Sequence, residues 1–171
     1  LGALRETYSR SIGVEFMHLQ DPAERRWLIE RMEPVHNAPA LDAAEKRRIL
    51  RKLVHAAAFE QFLNAKYVGV TRFSLEGGES LIPGLDFLLE RSAAHGCREV
   101  IIGIAHRGRI NVQTNILGKP FTDVFSEFEN CYDPDLLVGA GDVKYHTGFL
   151  NDVRTEGGRE LRMFMMNNPS H

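Results

Sequence analysis

A short apolar run at residues 100–102 changes abruptly into a glycine-interrupted segment that carries a histidine and two arginines. Residues 103–111 read Gly-Ile-Ala-His-Arg-Gly-Arg-Ile-Asn. The apolar run predicts a buried β-strand over residues 99–104. Because ligands of open α/β sheets bind just beyond the carboxyl ends of the strands, the polar residues that follow this strand are expected to belong to a binding site.

Two further polar segments lie between apolar ones. Residues 141–148 read Gly-Asp-Val-Lys-Tyr-His-Thr-Gly, and residues 168–171 read Asn-Pro-Ser-His. The second of them follows an apolar run at 161–166, which predicts another strand. Three such segments together indicate an active site that handles anions.

Helix signals occupy much of the remaining sequence. Asp21 followed by Pro22 predicts the start of a helix, and Pro34 predicts its end. A similar start at 41–45 opens a second helix with an apolar stripe. Further helices are predicted at 79–94, at 111–117 and around 124–128.

The other stretches are predicted to be irregular. Residues 1–20 are expected to be an extended lead-in, 69–78 a loop or short strand, and 129–151 a loop. Helices that alternate with strands are typical of a parallel sheet. The predicted fold class is therefore α/β, with N-terminal helices over residues 1–68 that lead into an incomplete parallel-sheet domain over residues 69–171.

Charge and cysteine content exclude several classes of function. The formal net charge of −2 gives no general electrostatic argument for binding nucleic acid or an anionic membrane. No apolar run approaches the roughly 18 residues that cross a bilayer, and no secretory signal is evident. Cys97 and Cys131 lack metal-ligand spacing, which favours a reducing compartment and predicts no metal site in this chain.

Four motifs in a fixed order carry a family resemblance. Residues 72–83 read Arg-Phe-Ser-Leu-Glu-Gly-Gly-Glu-Ser-Leu-Ile-Pro, and the three polar segments described above follow them. Together they resemble the thiamine-diphosphate-dependent E1 component of the 2-oxoglutarate dehydrogenase complex, from about residue 16 to residue 171. The resemblance implies that 69–171 begin a thiamine-diphosphate-binding domain. It also implies an N-terminal fragment, inactive alone, of an enzyme whose magnesium motif lies beyond residue 171.

The resemblance assigns both motif histidines, His106 and His146, to catalysis or substrate binding. A neutral imidazole donates one hydrogen bond and accepts another, and its pKa lies near the operating pH. Asp142 and Lys144 flank His146 and could orient a neighbour or attract a carboxylate, although a charged surface turn explains them equally well. Leu150 stands where some members of the family carry a small hydroxyl residue, which puts one substrate hydrogen bond in doubt.

Arg107 and Ser170 are assigned to the cofactor. A guanidinium pairs bidentately with phosphate or carboxylate and keeps its charge when desolvated. The resemblance places Arg107 against thiamine diphosphate; the alternative is a structural ion pair with Glu76 or Glu79. The Asn-Pro-Ser-His segment of the family lies beside thiamine, which implies a cofactor contact for Ser170. The role of His171 is left open.

For the complete enzyme the resemblance implies oxidative decarboxylation of 2-oxoglutarate. Thiamine diphosphate and Mg²⁺ would be the cofactors, and the succinyl group would pass to the lipoyl arm of the E2 partner, dihydrolipoyl succinyltransferase. A homodimer is implied, with a bacterial cytoplasmic location favoured over the mitochondrial matrix, and with neither nucleic acid nor membrane as a partner.

Two alternatives to this function stay open. One is an E1 enzyme that acts on 2-oxoadipate, which is one methylene longer. The other is a non-catalytic anion-binding module that uses the basic residues 46–52, with salt-sensitive binding to nucleic acid or anionic lipid.

Overall fold

The structure, a computed structural model, describes residues 1–129 and 145–168. The chain divides into two compact units, Leu1–Lys46 and Arg47–His171. This division lies inside a helix, whereas the sequence predicted a domain division at residues 68/69, which stays a prediction. No helix within the described ranges is both long and apolar enough to cross a bilayer.

The first unit contains α1 (Gly2–Ser9), α2 (Pro22–Met32) and a 3-10 helix (Glu33–Val35). Helix α2 begins as predicted, because the Asp21 carboxylate accepts a hydrogen bond from the Ala23 amide at 2.7 Å. The extended lead-in predicted for residues 1–20 is wrong at α1. This two-turn helix has no capping side chain, and its sequence signal is little more than the four-residue spacing of Leu4 and Tyr8.

Helix α3 (Ala43–Lys66) confirms the second predicted helix start. The Asp42 carboxylate accepts from the amides of Ala44 and Glu45, at 2.7 and 2.8 Å. The Glu45 carboxylate in turn accepts from the Asp42 amide at 2.8 Å. This reciprocal capping box satisfies donors that a helix N-terminus otherwise leaves without partners.

The second unit carries the elements that position the site: α4 (Leu81–Ala94), β1 (Glu99–Ile102), α5 (Arg109–Asn115), α6 (Phe121–Glu129), β2 (Phe149–Arg154) and β3 (Glu160–Met165). Three helices and two strands were predicted here within a few residues of their ends. Strand β2 was not, because the loop was predicted to run to residue 151.

Near its start, β2 places a polar side chain on its inward face and an apolar side chain on its outward face. The Asn151 side chain faces inward and donates to the Leu117 carbonyl at 2.7 Å, while Leu150 faces outward and is 60% exposed. Because a polar side chain faces inward and the neighbouring leucine faces outward, this segment lacks the alternation of inward apolar and outward polar residues that predicts a half-buried strand.

The three strands form one sheet in the order β1-β3-β2. Strands β1 and β3 are parallel, and β2 is antiparallel to β3. The α/β class is confirmed, but the sheet is mixed rather than wholly parallel. A β2–β3 hairpin needs only a short turn, whereas a parallel neighbour needs a crossover connection.

The core covers one face of the sheet. Leu161, Met163 and Met165 of β3 are buried against residues of α4 and α5, including Ile82 and Val112. A second cluster joins aromatic and aliphatic residues of α3, α5 and α6, and α5 is buried from Arg109 through Thr114 because it packs into both clusters.

The opposite face of the sheet is open along one row of paired residues. Ile101 is 69% exposed, and its row continues through Phe164 to Leu150. The prediction that the strand at 99–104 is buried is therefore wrong on this face. Hydrophobic content alone does not reveal which side of a strand is covered.

Candidate active site

Three chain segments meet at one edge of the sheet. Ile102 at the end of β1 and Phe149 at the start of β2 both pair with Met165 at the end of β3. Residues 103–109, 145–148 and 166–168 therefore lie side by side. The carboxyl ends of β1 and β3 are at this edge, which is where open α/β sheets bind their ligands.

Backbone hydrogen bonds connect these segments directly. The Met166 amide donates to the Ile102 carbonyl at 3.0 Å, and the Asn168 amide donates to the His146 carbonyl at 2.8 Å. The Asn167 side chain accepts from the Gly148 amide. The edge is consequently an ordered array and not three independent loops.

Arg109, at the start of α5, is completely buried at this edge. Its guanidinium donates to the Ile104 carbonyl at 2.7 Å, to the Thr147 carbonyl at 2.8 Å and to the Met166 carbonyl. One side chain thus contacts all three segments. Arg109 was not among the residues predicted from the sequence to contact substrate or cofactor, although the second arginine of the His-Arg-Gly-Arg motif could have indicated it.

A second buried polar side chain supports the same peptide. Gln113, one turn along α5, donates to the Thr147 carbonyl at 2.9 Å. Lys119 contacts the Gln113 amide oxygen at 3.4 Å and pairs with Glu127 at 2.5 Å. The peptide that follows His146 is therefore fixed by donors from two successive turns of α5.

His106 lies half-buried in the turn between β1 and α5. Its ring is 4.1 Å from the Phe73 ring, centroid to centroid. Phe73 adopts a left-handed backbone conformation, with φ of 47°, and its carbonyl accepts from the Gly108 amide at 2.8 Å. A bulky residue rarely adopts this conformation, and such strain concentrates at functional sites.

Gly108 has to be glycine at this turn. Its φ is +73°, and a Cβ atom here would lie 2.5 Å from Cδ1 of Leu75. Leu75 is only 4% exposed and belongs to the core. Its amide donates to the buried Glu60 carboxylate at 3.0 Å, so the backbone beneath the turn is also fixed.

An open cleft of about 560 Å³ adjoins the turn and is lined by Phe73, Ser74, Glu76, His106 and Arg107. Arg107 is exposed and donates one hydrogen bond, at 2.9 Å, to the Glu76 backbone carbonyl. Among the described residues it forms no ion pair with Glu76 or Glu79, which was the alternative interpretation. The cleft therefore presents a cation beside an imidazole.

The carboxylate of Glu79 has a partner of its own. It accepts a hydrogen bond from the Gly77 amide at 3.0 Å. Hydrogen bonds from the backbone of Glu79 itself and of Gly77 hold the pKa of this carboxyl below its ordinary value. The Glu79 carboxylate therefore stabilises its own loop through the Gly77 amide, instead of serving as an ion-pair partner for Arg107.

His146 reaches the same edge from the other side but is not one of the residues that line the cleft. It is only 8% exposed. The neighbouring Tyr145 ring meets the Phe73 ring edge to face at 4.9 Å, and its hydroxyl donates to the Thr71 carbonyl. Phe73 therefore contacts both His106 and the residue before His146, and burial raises the pKa of the Tyr145 hydroxyl.

The predicted cofactor contact Ser170 lies outside the described residues, as do Cys131 and the three residues whose roles were left open, Asp142, Lys144 and His171. Their roles stay predictions. Within the described ranges no group of three His, Cys, Asp or Glu side chains is placed to hold a metal ion.

The basic cluster at 46–52 is largely engaged in ion pairs. Arg48 contacts Asp86 at 2.6 Å and Glu90 at 3.2 Å, and Lys52 contacts Asp86 at 2.8 Å. Arg51 pairs with Glu156 at 2.5 Å. Cations that are neutralised within the fold have less charge to offer a nucleic acid, so the alternative of an anion-binding module is not favoured.

Comparison with known proteins gives one consistent result. No protein-family model matches the chain. Over its whole length the chain is 49% identical to the 2-oxoglutarate dehydrogenase E1 component of Cupriavidus necator and 47% identical to that of Brucella anthropi. It is also 47% identical to the multifunctional 2-oxoglutarate metabolism enzyme of Mycolicibacterium vanbaalenii. The chain spans 14–18% of the length of these relatives.

Proposed function

We propose that this chain is a homologous segment of the family of 2-oxoglutarate dehydrogenase E1 components. On that premise, it forms part of an enzyme for the oxidative decarboxylation of 2-oxoglutarate. The segment contributes one wall of the active site. The observation that carries this proposal is the pairing of His106 and Arg107 in one cleft at the carboxyl end of β1.

The cleft has the chemistry to hold an anionic cofactor. A guanidinium has five N–H donors, and Arg107 uses one of them in its bond to the Glu76 carbonyl. The group is exposed, so its remaining donors are accessible from the cleft. These properties fit a diphosphate group, and we assign Arg107 to binding thiamine diphosphate.

Thiamine diphosphate, when bound, supplies the carbanion stabilisation that no side chain provides. The residues of this chain bind and orient the reactants. His106 holds or transfers a proton at one ring nitrogen and donates a hydrogen bond to a carboxylate or keto oxygen of the substrate. The Phe73 ring packs against that imidazole, with 4.1 Å between the ring centroids, and forms part of the wall of the cleft.

His146 and Ser170 complete the proposed site. His146 would contact the substrate from the segment before β2, and Ser170 would contact the cofactor after β3. Mg²⁺ is the second proposed cofactor, and no group of three ligands for it lies among the residues that the structure describes. We also propose that the enzyme is a cytoplasmic homodimer and that it interacts with a lipoyl-bearing E2 partner.

The test measures CO2 release by the full-length polypeptide that carries this sequence. We expect turnover of 2-oxoglutarate that requires both thiamine diphosphate and Mg²⁺ and that exceeds turnover of 2-oxoadipate. A pocket distinguishes one methylene by about 1–3 kcal/mol, so the preference is expected to lie between about 10-fold and 200-fold. Turnover that does not depend on thiamine diphosphate would refute the proposal, and a preference for 2-oxoadipate would change the substrate.

A further inference from the structure

We propose that Arg109 is a positioning residue that keeps the His106 turn and the His146 segment in their working arrangement. This inference rests on the proposed function, because it assigns Arg109 an effect on the same reaction. Arg109 does not line the cleft, so its effect has to pass through the backbone that it holds.

Its contacts reach both histidine segments. The guanidinium donates to the Ile104 carbonyl two residues before His106, at 2.7 Å. It also donates to the Thr147 carbonyl directly after His146, through Nη2 at 2.8 Å and Nε at 3.2 Å. The amide of Arg109 itself donates to the His106 carbonyl at 3.1 Å.

The third contact ties both segments to the sheet. Arg109 donates to the Met166 carbonyl, one residue beyond β3. Met166 in turn donates from its amide to the Ile102 carbonyl at the end of β1, at 3.0 Å. The guanidinium is therefore a single side chain that contacts all three segments, in addition to the backbone bonds that join them.

The geometry of this contact requires arginine. A guanidinium is a rigid planar fork whose donors diverge, and it can therefore reach acceptors on separate segments at once. Lysine places a single compact ammonium on a flexible stem, and methionine offers no donor. A fully buried charge also depends on these dipoles, because it has lost its hydration.

The test compares R109K and R109M with the parent in the full-length polypeptide. Thiamine diphosphate binding gives the concentration of folded sites, and kcat per site is measured across pH. Displacement by about 1 Å can cost about 100-fold in rate. We therefore expect R109M to lose about 100-fold in kcat, R109K to lose less, and the acidic limb of the pH profile to move.

R162M is the matched control, since Arg162 is an exposed arginine of β3 paired with Asp152, and it should keep the parental kcat.

The outcomes separate the two hypotheses. Parental kcat per site in R109M, or a loss that is uniform across pH, overturns the positioning role and leaves the proposed function intact. A parent without activity on 2-oxo acids overturns both. If neither of these variants folds, R109Q takes their place, because the glutamine amide group has only two N–H donors for the three carbonyls. Parental kcat per site and an unchanged pH profile in R109Q would then overturn the role.

Discussion

Replacing Gly108 with alanine should destabilise the second unit more than the same change at any glycine that merely has a positive φ. Two separate costs combine at this position. A Cβ atom at φ of +73° costs about 1–2 kcal/mol in left-handed backbone. That atom would also lie 2.5 Å from Cδ1 of Leu75, and insertion of a methyl group into a packed core costs about 1–3 kcal/mol. The expected loss in the free energy of unfolding is therefore about 2–5 kcal/mol.

Gly96 provides the matched control. Its φ is +91°, and no atom outside its neighbourhood lies within 4 Å of the Cβ position, so Gly96→Ala carries the backbone cost alone. Urea unfolding followed by circular dichroism measures both variants. A double-mutant cycle with Leu75→Ala isolates most of the steric part, because truncation removes Cδ1 and Cγ and leaves only the Leu75 Cβ, at 3.3 Å. In that background the cost of Gly108→Ala should fall toward that of Gly96→Ala.

Equal destabilisation by Gly108→Ala and Gly96→Ala would contradict this prediction. A cost of Gly108→Ala that is unchanged when Leu75 is truncated would contradict it as well. Either result would mean that the turn can shift away from the core without loss. The close contact with Leu75 would then not be what selects glycine in the His-Arg-Gly-Arg motif.

Three further predictions concern the cofactor, acid stability and the unpredicted strand. In the full-length polypeptide, Arg107→Ala should raise the thiamine diphosphate concentration that gives half-maximal activity, and an unchanged cofactor titration would contradict the assignment. Burial acts to raise the pKa of Asp86, but Arg48 and Lys52 outweigh it and lower that pKa below its ordinary 3.8. The ionised carboxylate therefore stabilises the fold above pH 3.8, and this contribution disappears as the pH falls through the lower folded value. Asp86→Asn should consequently weaken the acid dependence of urea unfolding. Asn151→Ala removes a partly buried bond to the Leu117 carbonyl and should cost about 1–3 kcal/mol, whereas Asp152→Ala on the exposed side of β2 should cost less, because water screens its pair with Arg162.

The sequence predicted those elements whose signals are local. Asp21 and Asp42 cap helices because a carboxylate two or three residues before free amides accepts their hydrogen bonds wherever the helix lies. The apolar run before His106 likewise predicted β1. It also placed the motif at a sheet edge, which the register of β1 with β3 confirms.

Features that depend on distant residues were not predictable in this way. Asn151 faces inward because the Leu117 carbonyl needs a donor, and that carbonyl lies 34 residues away in the chain. Arg109 is buried because three carbonyls from separate segments converge on it. Charge alone suggests that an arginine contacts a ligand or solvent, and only the sheet register reveals that this one binds the backbone.

The most direct test of the account is a double-mutant cycle on His106 and His146 in the full-length polypeptide, with turnover of 2-oxoglutarate as the readout. Each alanine variant should lower kcat by about 100-fold or more, as loss of acid–base assistance does. Because both imidazoles are assigned to one site and one reaction, the double variant should be little slower than the slower single variant. Parental turnover in either single variant, or losses that multiply in the double variant, would contradict a shared site at this edge of the sheet.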